Sequence, residues 1–166
     1  MTQLDETGRP ADTAAREPGT DPLTLVVGVH LVLVDGDTVL LGRRRNTSYA
    51  NGLWHLPAGH MERDEPVTRS MTREAEEELG ITIATDDLAL VHTLHHLDAD
   101  DGRSRLQLFF RPAHYRGQVR NAEPHKCEEL RWWPIGRLPA DIVPYTAHAL
   151  GEIACGNLLS TVGWPA

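Results

Sequence analysis

With 166 residues, 40% of them hydrophobic and 24% charged, the chain is long enough for one folded domain with a buried core and has an ordinary globular composition. A formal net charge of −8 argues against a nucleic-acid polymer or an anionic membrane surface as partner, although metal ions can still bring phosphates to an acidic protein. No apolar run approaches the ~20 residues of a transmembrane helix, no signal peptide is recognisable, and Cys127 and Cys155 form no CxxC pair; the expected location is cytoplasmic.

Residues 1–22 are rich in Thr, Asp, Glu, Gly and Pro and read as a disordered tail, leaving 23–166 as the domain. Leu23 to Val34 (LTLVVGVHLVLV) is an apolar, β-branched run and reads as a central strand. Asp35-Gly36-Asp37 is a hairpin turn, and Thr38 to Leu41 returns as the partner strand. Gly42-Arg43-Arg44-Arg45 ends the hairpin, with Arg43 and Arg45 expected in solvent. A polar loop over 46–53 leads to a short strand and turn at Trp54 to Gly59. His55 and His60 flank the next segment and read as hydrogen-bonding or packing residues.

That segment, Gly59 to Ile81, is the most informative in the chain. Pro66 suits a first helical turn, Asp64 and Glu65 place negative charge at the helix start, and Gly80 suits the residue just past its end. Between them Val67, Met71, Ala75 and Leu79 form an apolar stripe. Glu74, Glu77 and Glu78 share a neighbouring face, where like charges repel by a few tenths of ~1 kcal/mol per pair. A solvated acidic surface is the plain reading; a hard divalent cation, which prefers carboxylate oxygens, is the chemical one.

The spacing from Gly59 through Glu65, Arg73-Glu74, Glu77-Glu78 and Gly80 to Ile81 resembles the Nudix box at every fixed position. The resemblance implies a Nudix fold (an α/β/α sandwich with a mixed β-sheet) and hydrolysis of a nucleoside diphosphate linked to another group. It implies Mg²⁺, or Mn²⁺, held by Glu74, Glu77 and Glu78 together with the backbone carbonyl of Ala58. Glu74 is a further ligand or a base, Glu65 orients water or Arg73, and Arg73 fixes a glutamate. Arg44 corresponds to an arginine that helps hold the nucleotide in the MutT-like branch. Homodimers are common in the family.

Further along, Asp86 to Leu97 reads as a strand, 98–103 as a hairpin loop and Leu106 to Phe110 as another strand. His95 and His96 are adjacent, so on a strand they face opposite ways and form no chelate. The loop from Asn121 to Glu129 resembles the family's site for one more carboxylate, with Glu123 and Glu128 as candidates. Trp132-Trp133 reads as a late strand, and Ile142 to Cys155 as the last helix, with Pro144 in its first turn and Ile142, Tyr145, Ala149 and Ile153 on one face. Asp141 and Tyr145 stand where related enzymes contact the base. Markers of the branches that cleave ADP-ribose, dinucleoside polyphosphates and NADH are absent. A nucleoside triphosphate is therefore the favoured substrate, ahead of a nucleotide sugar; a nucleotide-sensing domain without catalysis is the alternative of another class.

Overall fold

The apolar run beginning at Leu23 serves two sheets, where one continuous strand was expected. In the computed structural model, which describes residues 23–99 and 101–165, it forms β1 (Val26–Leu31) and, after a break, β2 (Val34–Asp35). The break is a crossing. Val32 N–H donates to Phe110 C=O on one side of the fold, and Leu33 C=O accepts from Leu40 N–H on the other. The tail expected over residues 1–22 lies outside the described residues.

The first sheet has the order β5 (Ala58–His60), β1, β7 (Ser104–Pro112), β6 (Leu88–Leu97), β9 (Leu159–Val162). It is mixed: β1 with β7 and β6 with β9 run parallel, while β1 with β5 and β6 with β7 run antiparallel. The second sheet centres on β3 (Thr38–Arg44), which pairs antiparallel with β2, with β4 (Trp54–His55) and with β8 (Cys127–Pro134). Strand β9 was not anticipated. It has only four residues, two of them exposed, so its sequence carries little alternation.

Two helices cover the sheets, α1 (Val67–Leu79) and α2 (Pro144–Ala154). Successive side chains on a strand point to opposite faces, and the buried residues sort that way. Leu31, Leu33, Leu40 and Phe110 pack with Met71, Ala75 and Leu79 of α1. Their strand neighbours Val32, Val39, Leu41 and Phe109 pack with Ala149 and Leu150 of α2. The molecule is therefore an α/β sandwich with a core on each side of its strands.

The details of α1 differ slightly from expectation. Pro66 is extended and sits just before the helix, and no acidic residue falls in the first turn. Asp64 takes a left-handed turn (φ 64°), which releases Glu65 from the helix axis toward Arg73. Gly80 closes the helix in the left-handed conformation, its N–H bonded to Glu76 C=O, as expected. The expected stripe of α2 is shorter than foreseen, because Ile142 precedes the helix and forms a β-bridge with Trp54. Cys127 and Cys155 are free thiols, and among the described residues no helix is long and apolar enough to cross a membrane.

Candidate active site

Burying the apolar stripe of α1 puts its glutamates at the edge of a cavity of about 830 Å³ between the two sheets. Glu74 and Glu78 line it; Glu77 is half-exposed and stands outside, while Glu76 points to solvent. Ala58 and Gly59 of β5 form the wall opposite the helix. Ala58 N–H donates to Glu78 Oε2 at 2.9 Å. A Cβ on Gly59 would lie 1.9 Å from the Glu74 carboxylate, so only glycine leaves that side chain room.

Arg73 braces this end. Its Nε and Nη2 grip both oxygens of Glu65 (3.3 and 3.0 Å), and Nη1 reaches Glu74 (2.8 Å) and Glu77 (3.2 Å). Nη2 also donates to His60 C=O. With its five N–H donors engaged, Arg73 has none to offer a substrate. Its hydrogen bonds hold the Glu65 carboxyl down to about 2. Glu78 goes the other way: burial, reinforced by Glu74 and Glu123, pushes its carboxyl up to about 8 against the Ala58 N–H. Burial also raises Glu74.

Of the two loop carboxylates, the structure brings Glu123 rather than Glu128 to the cavity. Glu123 lies there with Lys126, whose Nζ is 2.8 Å from Glu123 Oε1. Glu128, expected among the catalytic groups, instead lines a separate shallow depression and faces Arg43 at 3.8 Å. Residues of a strand start alternate in direction, which a loop pattern in sequence does not reveal. Arg43 is also not merely solvated, because its Nε donates to Gly52 C=O. Arg44 does line the cavity, with Nε on Tyr49 C=O and its guanidinium 6.0 Å from the Tyr49 ring. Asp141, a candidate base contact, is exposed and outside the cavity; its backbone C=O accepts from Trp54 N–H.

Tyr145 lines the far end of the cavity together with residues that were not singled out as site residues: His30, Gln107 and His96. The sequence signal for two of them was available. His30 interrupts the apolar run of β1, and Gln107 interrupts LQLFF in β7; each is a lone polar residue in a core strand. Burial lowers His30 to about 4 and His55 well below the ordinary histidine value, so both are neutral. His92 and His95 face other partners, Ser160 and Ser104.

Among the described residues no three His, Cys, Asp or Glu groups already form a ready-made metal cluster. The chemistry of the donor set nevertheless fits a hard cation. Glu74, Glu78 and Glu123 face one cavity, two of them with raised carboxyl pKa, the condition that an added positive charge relieves.

A family profile described as NUDIX domain matches residues 24–150. The chain belongs to the Nudix hydrolase superfamily. Among solved structures, a MutT NUDIX hydrolase from Burkholderia pseudomallei superposes with a TM-score of 0.71 at 31% identity, covering 78% of this chain and 98% of that one. The Escherichia coli ORF135 protein shares the fold (TM-score 0.64, 22% identity, 81% and 94% covered). Among curated proteins, a human protein described as 8-oxo-dGDP phosphatase NUDT18 is 27% identical over 130 residues, which is 77% of this chain and 38% of that protein. A MutT-like protein of Streptomyces ambofaciens is 38% identical over 76 residues (46% and 47%). The chain thus spans less than half the length of these two curated relatives.

Proposed function

We propose that this Nudix protein hydrolyses the pyrophosphate linkage of a nucleoside triphosphate, releasing the monophosphate and pyrophosphate, with Mg²⁺ or Mn²⁺ as cofactor. One observation carries the reading: Glu74, Glu78 and Glu123 converge on a cavity that is also lined by cationic side chains, Arg44 and Lys126 among them. Residues 23–166 act as a single catalytic domain.

Glu78, Glu74 and the Ala58 backbone would hold the cation, while Glu77 stands outside the cavity on Arg73 (3.2 Å). When bound, the metal supplies positive charge against the phosphoryl oxygens of the substrate. The chain's own groups do the rest. Arg44 and Lys126 hold phosphate oxygens, and Arg73 keeps Glu65 and Glu74 from swinging. Water forms a bond to one phosphorus of the anhydride, the bond from that phosphorus to the bridging oxygen breaks, and the proton of the water passes to a carboxylate. Glu123 would receive it: it lies in the loop facing α1, and its ion pair with Lys126 (2.8 Å) gives way when Lys126 turns to the phosphate. Catalysis of this kind is mostly positioning and electrostatics.

A second reading has a specific support. The human relative's description names a nucleoside diphosphate, 8-oxo-dGDP, as substrate, and such a substrate would release orthophosphate. A panel of nucleoside di- and triphosphates, nucleotide sugars and ADP-ribose with Mg²⁺, its products separated by anion exchange, decides between them. Pyrophosphate release supports the first reading and orthophosphate the second. No cleavage in the whole panel would leave a nucleotide-sensing domain.

A further inference from the structure

The inner end of the cavity, opposite the carboxylates, has a defined hydrogen-bond polarity. His55 Nδ1 lies 2.5 Å from Leu56 C=O, and a carbonyl can only accept, so Nδ1 carries the proton. The Nε2 of this neutral ring is then an acceptor, and the partner 2.8 Å away, Tyr145 O–H, must donate to it. Tyr145 therefore turns its hydrogen inward and presents oxygen lone pairs to the cavity.

Gln107 has the opposite polarity. Its Oε1 lies 2.8 Å from His30 Nε2, which donates to it. Its amide nitrogen has no partner among the described residues, so two N–H donors remain for the cavity that Gln107 lines. The pose depends on Gly28, the register partner of Gln107 on β1. A Cβ there would lie 2.0 Å from Gln107 Oε1. Flat rings surround the pair: His30 is stacked on Phe109 at 4.6 Å, and Tyr145 has His55 and His96 rings 5.5 and 5.3 Å away.

We propose that Gln107, seated over Gly28 and oriented by His30, is a specificity-determining residue that donates to a nucleobase edge while Tyr145 accepts from it. The inference rests on the nucleotide reading of the site and adds to it the group that reads the base. The walls suit a planar heterocycle, and a donor and an acceptor on either side of His30 in one cavity suit a base edge that carries both an acceptor and a donor. A phosphate, which only accepts, satisfies half of this pair.

The test measures binding and turnover separately. Calorimetry compares the four common nucleoside monophosphates with ribose 5-phosphate, which has no base, on wild type, Gln107→Met and Gly28→Ala. Wild type is expected to bind at least one monophosphate roughly tenfold more tightly than ribose 5-phosphate, and both variants to erase most of that preference while binding ribose 5-phosphate unchanged. Gly28→Ala retains the glutamine and displaces only its end, so it guards against a folding artefact in Gln107→Met. A wild type with no base preference, or variants that retain it, would overturn the proposal even if triphosphates are hydrolysed. A base preference lost in the variants, without hydrolysis of any nucleotide, would uphold it and overturn the catalytic reading.

Discussion

At the scale of single residues, three neighbouring glutamates have different fates. Glu78 is buried with other carboxylates around it, Glu77 is half-exposed, and Glu76 is in solvent. Glu78→Gln should therefore cut turnover by more than the ~10–100-fold typical of losing an outer-shell partner. Above about pH 8, where Glu78 is ionised, the same change should also raise the melting temperature of the metal-free protein, because it removes a buried charge crowded by Glu74 and Glu123. Glu76→Gln should leave both unchanged; a large loss there would mean that Glu76 shares the reactive face. Gly59→Ala drives a methyl into the Glu74 carboxylate and should reduce turnover with little change in folding, checked by steady-state rates beside thermal melts. Helical spacing assigns faces by arithmetic and put Glu74 and Glu78 together, but it also grouped Glu77 with them, and that side chain stands outside the cavity. Glu123 and Glu128 were not separable, because a loop has no period from which to infer direction.

At the scale of elements, α1 and its brace form one device. The stripe Met71, Ala75 and Leu79 anchors the helix in the core, so the opposite flank has a fixed position from which Arg73 can gather Glu65, Glu74 and Glu77. An ammonium cannot reproduce this, since lysine has no planar fork and fewer donors. Arg73→Lys should lower kcat by about 10–100-fold, the usual cost of disturbing a supporting shell, while KM for the nucleotide stays nearly constant. Rates titrated against Mg²⁺ check it; a raised KM with unchanged kcat would place Arg73 on the substrate instead. The helix itself could be read from the sequence to within a residue. The splitting of the first apolar run between β1 and β2 could not, because the run is apolar throughout and only the hydrogen bonds of Val32 and Leu33 mark the crossing.

At the scale of the whole molecule, the two cores share strands, and the inner end of the cavity is set into the α2 side of that shared layer. His30 stacks on Phe109 of that core and bonds to Gln107, and its burial, with smaller contributions from His60 and Arg44, disfavours its protonation. This coupling of site to core makes acid stability a readout of the fold. His30 has an ordinary value of 6.5 in the unfolded chain and about 4 when folded. Between those values the unfolded state binds more protons, so stability rises with pH across that window and is lost as pH falls through it. The difference corresponds to about 3 kcal/mol at most for His30 alone, and His55, lowered for the same main reason, adds to it in the same direction. Urea midpoints at pH 7.5 and pH 5 should fall further in wild type than in His30→Gln, which has no proton to take up. Equal falls would mean that the acid loss over this interval arises from another group such as His55; Glu65 cannot supply it, because its depressed carboxyl loses its Arg73 pairing only as pH drops from 4.5 toward about 2. The two windows do not overlap above pH 4.5, so a fall between pH 6.5 and 5 belongs to the buried histidines.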